Sequence, residues 1–381
     1  MIRFCSSWFP ICIIALCFIS KTTLNVKLAE ADTLDDFYIE QAIDRYFALP
    51  RDGKTLSLGG TPASVCDGSQ CVFLNPGGLG FVRELEITSS IGNGRISGDE
   101  FLEDQEIRQH HNEGYIAAAI PLGGTESGVP HYGVLTFAYS RYAGDTNDSI
   151  NTTPDGHRRT IGYSFAPSAT WSLGYVFTFF DDQLRTDLSD LHSHARMMHV
   201  LGIQNAISDT LSWGVVMKYG LGQSDTEEFA VMSNGLSKPR QYTLSGGIRQ
   251  RFYSAQLYAS VDFSILDSQG NLNNVNSPAV VVGSDEDGNL TNARLGSEYP
   301  IFDRIPLRFG FRYQYVDYSF KRSDLASLTG NSSGVAISTG IGVMLGKDNS
   351  QSQQPRLDFG VEYSVIGHGN WQSILSLSVP L

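Results

Sequence analysis

Leu307-Arg308-Phe309-Gly310-Phe311-Arg312-Tyr313-Gln314-Tyr315 sets an aromatic or apolar residue at every odd position and a polar residue or glycine at every even one. Side chains of a strand alternate between its two faces, so this stretch reads as a strand with one apolar face and one polar face. The pattern extends outward through residues 240–381. Tyr242, Leu244, Gly246 and Ile248 alternate with Gln241, Thr243, Ser245, Gly247 and Arg249. Ala255, Leu257, Ala259, Val261, Phe263 and Ile265 alternate with a set that includes Gln256, Ser260, Asp262 and Ser264. A soluble β-sandwich shows the same period. Segment length, the aromatic content of the apolar face and the N-terminus therefore have to decide between them.

The N-terminus reads as an export leader. Arg3 precedes an uncharged, mostly apolar stretch, and Ala29-Glu30-Ala31 has the form of a cleavage site, so residues 1–31 are expected to be a signal peptide. Beyond it no apolar run reaches the 18 or more residues of a spanning helix. A membrane protein of this sequence must then be a closed barrel, because lipid tolerates no open sheet edge. The balance is acidic, 27 Lys+Arg against 40 Asp+Glu, which argues against nucleic acid as a partner. Outside the leader only Cys66 and Cys71 remain; in an exported chain they are expected to form a small disulfide loop, two free thiols being the alternative.

Fourteen strands are predicted: 82–90, 114–121, 131–141, 158–167, 171–181, 195–205, 210–221, 240–250, 254–265, 289–298, 306–318, 334–346, 355–365 and 370–380. An even number of segments near ten residues suits a bacterial spanning barrel. Long connections alternate with short turns almost throughout, as in barrels whose long loops share one end. The apolar phase includes Trp171, Tyr175, Phe177 and Phe179, then Trp213 and Tyr219, Phe359 and Tyr363, and at the C-terminus Trp371, Leu375, Leu377, Val379 and Leu381. These fit a lipid-facing band with aromatic girdles. The opposite phase carries Lys218, Arg249, Asp262, Arg308, Arg312, Asp358 and Glu362. It is either an interior network that stiffens the wall or a binding wall, in which Arg308 and Arg312 would meet a carboxylate headgroup. Residues 32–48 have a helical stripe capped at Thr33, which leaves open a surface helix or a plug.

No catalytic set stands out, since G-x-S-x-G is missing. His192 and His194 are read as part of a polar loop rather than a metal site. Neither a cofactor nor a metal is expected.

The stretch GKTLSLGGTPASVCDGSQCVFLNPGGLG, residues 53–80, resembles the N-terminal signature of the FadL-like outer-membrane barrels, the long-chain fatty-acid transporter family with its aromatic-hydrocarbon and PorV-like relatives. Asn75-Pro76-Gly77-Gly78-Leu79 departs from the usual Asn-Pro-Ala-Gly-Leu at Gly77, and the two cysteines are not part of the general pattern. The resemblance implies an all-β transmembrane antiparallel barrel of about 14 strands over residues 81–381. Residues 32–80 would form an N-terminal hatch, with Asn75, Pro76 and Gly77 at its return to the wall. The implied function is passive outer-membrane transport of hydrophobic small molecules, such as long-chain fatty acids or aromatic hydrocarbons. The alternative is a non-transporting structural protein or secretion-machinery partner. Phe101, Leu102, Tyr142 and Phe229 are placed near a groove at the outer mouth. Expected partners are outer-membrane lipid and lipopolysaccharide, a hydrophobic substrate and the barrel-assembly machinery, with no nucleic acid, for a monomer in a Gram-negative outer membrane.

Overall fold

The computed structural model describes residues 51–61, 66–98, 107–123, 132–144, 152–186, 190–225, 238–269, 286–302, 304–320, 328–345, 354–366 and 370–381. The expected leader and the helix predicted at 32–48 lie outside them. A short helix, α1 (Gly53–Ser57), and two 3-10 turns, Ser69–Val72 and Pro76–Phe81, precede the strands. These are β1 (Glu86–Gly98), β2 (Ile107–Pro121), β3 (Val134–Gly144), β4 (Thr152–Phe165), β5 (Trp171–Thr186), β6 (Asp190–Ala206) and β7 (Leu211–Asp225). Then come β8 (Lys238–Phe252), β9 (Ala255–Gln269), β10 (Glu286–Phe302), β11 (Ile305–Phe320), β12 (Leu328–Met344), β13 (Arg356–Ile366) and β14 (Trp371–Pro380).

Each strand pairs antiparallel with its sequence neighbour, and β1 also pairs with β14, from Glu86 opposite Pro380 to Arg95 opposite Trp371. The sheet closes into a barrel and leaves no edge. Alternation decides which way each side chain points. Phe309, Phe311 and Tyr315 on β11, Tyr163 on β4, Ile337 on β12 and Leu375 on β14 stand exposed on the outer surface. Arg308 and Gln314, between them in sequence, are buried in the interior. An exposed band so rich in large apolar side chains would be unfavourable in water and is satisfied by lipid. The molecule is a 14-strand transmembrane β-barrel.

The observed strands run past the predicted ends, mostly toward the long connections. β2 starts at Ile107 rather than 114, β4 at Thr152 rather than 158, and β6 at Asp190 rather than 195. His192, His194 and Tyr142, predicted in or beside loops, are strand residues. Apolar alternation marks only the height that lipid covers, whereas backbone pairing continues beyond it. β1 departs in the other sense and begins at Glu86 rather than 82. Its approach is used by the Pro76–Phe81 turn and by Val82, which packs into the interior core.

Candidate lumen site

Residues 51–61 and 66–81 lie inside the barrel and touch opposite walls. α1 packs on β11–β14, and the Pro76–Phe81 turn packs on β4–β6. Asp52 starts α1, its Oδ1 accepting a hydrogen bond from the Thr55 N–H at 2.6 Å. Burial raises the pKa of this carboxyl above its ordinary value, against the pull of Arg356. The Gly53 N–H donates to Ser376 Oγ at 3.0 Å. Arg51 reaches Glu362 and Gln372 on the wall, and Lys54 pairs with Asp67 at 2.9 Å. That ammonium holds the Asp67 carboxyl well below the usual carboxylate range.

Asn75 starts the second contact. Its Oδ1 accepts from the Gly77 N–H at 2.9 Å and its Nδ2 donates to the Ile203 carbonyl at 3.2 Å. Pro76 supplies a fixed φ at the first position of the turn. Cys66 and Cys71 are joined by a disulfide, and both are buried. Gln204 of β6 clasps this loop, accepting from the Cys66 N–H at 3.2 Å and donating to the Cys66 carbonyl at 3.1 Å.

Both contacts need glycine on the wall. A Cβ built on Gly174 would stand 2.1 Å from the Pro76 carbonyl oxygen, and one on Gly202 2.1 Å from Asn75 Oδ1. On the far side the corresponding distances are 2.2 Å from Gly310 to the Gly59 nitrogen and 2.3 Å from Gly360 to the Gly53 oxygen. Asn75, Pro76 and Gly77 were singled out by the sequence; their sockets were not. The missed signal was a mid-strand glycine on the lumen phase, which marks close backbone approach.

Around the second contact the interior is apolar. Val72, Phe73, Leu74, Leu79 and Val82 pack with Tyr115, Ala117, Val176, Phe180, Val200 and Val216. Phe73 meets Tyr115 edge to face, with ring centroids 5.0 Å apart. Across the lumen the wall is ionic. Arg308, 1% exposed, donates to Glu298 at 2.6 Å and to Asp358 at 2.7 Å, and Arg356 donates to the second oxygen of Asp358 at 2.5 Å. Arg312 pairs with Glu362 at 2.8 Å, and Arg294 pairs with Asp262. Arg294, Glu298 and Arg356 were not found from sequence. The outward phase of β10 reads Thr291, Ala293, Leu295 and Ser297, too weakly apolar to fix which face was inside.

Beyond the interior chain, toward the strand ends that the long connections join, lies a cavity of about 200 Å³. Thr55, Gly60 and Leu74 contribute from the interior chain, and Lys218, Arg294, Arg312 and Glu362 from the wall. Of the residues expected to bind substrate, Tyr142 and Arg312 line it, with Tyr142 stacked on His111 at 5.5 Å. Arg308 is not on the cavity wall and lies closed in its ion pairs. Phe101, Leu102 and Phe229 lie outside the described residues.

No protein-family model matches this sequence, and no curated protein sequence matches it either. Solved structures do. A Pseudomonas aeruginosa FadL homologue superimposes with a TM-score of 0.59 at 10% identity, over 87% of this chain and 98% of that one. The P. putida toluene transporter TodX gives 0.54 at 12% identity, over 87% and 98%. The Ralstonia pickettii toluene transporter TbuX gives 0.53 at 11%, again over 87% and 98%. At such low identity the likeness is one of fold, and it is the fold implied by the resemblance of residues 53–80.

Proposed function

We propose that this chain, a barrel with the fold of the FadL-like outer-membrane proteins, resides in the outer membrane and passes hydrophobic small molecules through it passively. One observation carries the reading most: interior segments touch opposite walls of the lumen, pack one side of it with apolar side chains and leave a cavity toward the strand ends that the long connections join. A barrel that served only as a wall has no need of such a cavity. In this reading residues 51–80 are the inner part of a hatch spanning 32–80, and Asn75, Pro76 and Gly77 hold its return to the wall. Solutes collect at the outer mouth, where Phe101, Leu102 and Phe229 belong, and meet Tyr142 and Arg312 in the cavity. An apolar body gains by leaving water for the pocket and then the bilayer, so no energy source is required.

The toluene transporters among the neighbours suggest aromatic hydrocarbons, and the FadL-like resemblance of residues 53–80 implies fatty acids. The cationic side chain of Arg312 on the cavity wall favours a molecule with a carboxylate over a bare hydrocarbon. The test is uptake by vesicles reconstituted with the full chain, offered decanoate and toluene in parallel. Entry of either above that of protein-free vesicles is the expected result. Rates equal to the protein-free control for both would remove transport and leave a structural or secretion-partner role.

A further inference from the structure

The cavity carries more charged groups than passage of hydrophobic molecules requires. Counting side chains on the lumen phase together with Arg51, five cations line it, Arg51, Arg158, Lys218, Arg294 and Arg312, against three carboxylates, Glu113, Asp262 and Glu362. Among the described residues of the lining this is an excess of two positive charges, in a chain whose formal net charge is −13. Excess charge inside a low-dielectric wall is unfavourable until an opposite charge joins it.

Lys218 locates the excess. It projects from β7 on the lumen phase and is half buried, and among the described residues its ammonium makes no hydrogen bond or ion pair. A second cation, Arg294, lines the same cavity. Arg294 is engaged by Asp262, Arg312 and Arg51 by Glu362, and Glu113 accepts from Gln372, so the three described carboxylates of this lining are already engaged. The wall beside Lys218 is lined by Gln241, Thr243, Ser264, Asn292 and Gln314. These groups offer donors and acceptors together and have little apolar surface. The volume is below the roughly 300 Å³ at which pockets for drug-sized ligands begin.

We propose that this cavity is a binding site for a small hydroxylated carboxylic acid of sugar-acid type, its carboxylate on Lys218 and its hydroxyls on the amide and hydroxyl wall. A carboxylate supplies the missing negative charge as a charge-assisted hydrogen bond. Hydroxyls both donate and accept, as the Gln, Asn, Ser and Thr side chains do. A long apolar chain would leave those groups without partners, which costs more than a missing attractive contact. The inference goes beyond the proposed passage of hydrophobic molecules and assigns the barrel a second class of solute.

Glucuronate is the probe, with glucose as the uncharged control, titrated into the full-length protein in detergent at low salt while tryptophan emission is followed. Trp371 borders the cavity and supplies the signal, and calorimetry gives an independent reading. Glucuronate should bind, and glucose should bind more weakly by about tenfold or more. Lys218→Gln should bring glucuronate down to the level of glucose, and Lys218→Arg, which keeps the charge, should hold most of the affinity. Heat-modifiable migration on gels reports that both variants are folded. Wild-type protein that binds glucuronate no better than glucose overturns the proposal, as does Lys218→Gln that binds it as well as wild type. Decanoate uptake by wild-type vesicles is scored separately, so a failure of the transport reading is told apart from a failure here.

Discussion

The two halves of this lumen are built from different chemistry. Along β2 to β7 the inward side chains that meet residues 66–82 are mostly small or apolar, Tyr115, Ala117, Val176, Val200 and Val216 among them. Along β9 to β13 the inward side chains are charged and paired, and residues 51–60 dock there through polar contacts. The outer surface carries the same apolar band on both sides. Lipid thus dictates one face of every strand, while the interior is free to differ. An apolar contact holds by shape and area, and tolerates small shifts; an ionic one holds by direction, and loses most when a single partner is removed.

Removing one ion should therefore give the largest effect. Arg308→Met strands Glu298 and part of the field on Asp358 in a buried site, and should cost about 3–5 kcal/mol, read from the urea midpoint of unfolding by tryptophan fluorescence. Adding Glu298→Gln to the same chain should return part of the loss. If the double variant is no more stable than the single one, the ionic half is not held by charge pairing. In the apolar half, Leu79→Ala should cost about 3 kcal/mol, within the range for emptying a buried leucine site, and no second substitution of a polar neighbour should restore it.

The outer face gives the next contrast. Phe311→Arg places a charge against lipid and should cost about 2–4 kcal/mol near the midplane, seen as reduced folded, heat-modifiable protein in membranes. Arg312→Gln, its neighbour on the lumen side, should assemble at the wild-type level. Equal loss in both would mean that the inside and outside of β11 are not as different as their exposure indicates.

The asymmetry also explains what the sequence revealed. In β8, β9 and β11 an apolar outer face stands against a polar inner face, so alternation is clean and the lumen charges could be named in advance. In β2, β3 and β5 the inward residues are Ala117, Val134, Ala138 and Val176, so both faces are apolar and the period fades. There the strand count rested on length and on the turns. The resemblance of residues 53–80 located the Asn75-Pro76-Gly77 turn, but contact across 100 residues of sequence leaves no local pattern. Gln204 and the glycines at 174 and 202 therefore went unread. The cavity is equally nonlocal, since it draws one to four residues from every strand except β5.

Within the apolar half, the Cys66–Cys71 loop is already clasped by Gln204 and by its buried neighbours. Replacing both cysteines with serine should lower stability by about 2 kcal/mol, the chain-entropy value for so short a loop. The barrel should remain folded while protease sensitivity within residues 66–82 rises. A wild-type digestion pattern would show that packing alone holds this contact.

The smallest effect, and the sharpest test of the polar contact, belongs to Asp52. Its carboxyl caps α1 but is buried, and burial raises its folded pKa above the ordinary value of 3.8. Below that value the group is protonated in both the folded and the unfolded chain, and the cost of charging it is absent. As pH rises from 3.8 toward the raised pKa, the unfolded chain ionises first and the folded state loses stability, after which the loss stays constant. Asp52→Asn keeps an acceptor for the Thr55 N–H and cannot ionise, so it should match or slightly exceed wild-type stability at neutral pH and lack that acid-side decline. Asp52→Ala also cannot ionise but loses the cap, and should fall below Asp52→Asn by about 1 kcal/mol at every pH. Urea midpoints for the three chains between acid and neutral pH separate the two contributions. If Asp52→Asn is less stable than wild type at neutral pH, the ionised carboxylate is held favourably by Arg356, and attraction rather than burial governs this end of the interior chain.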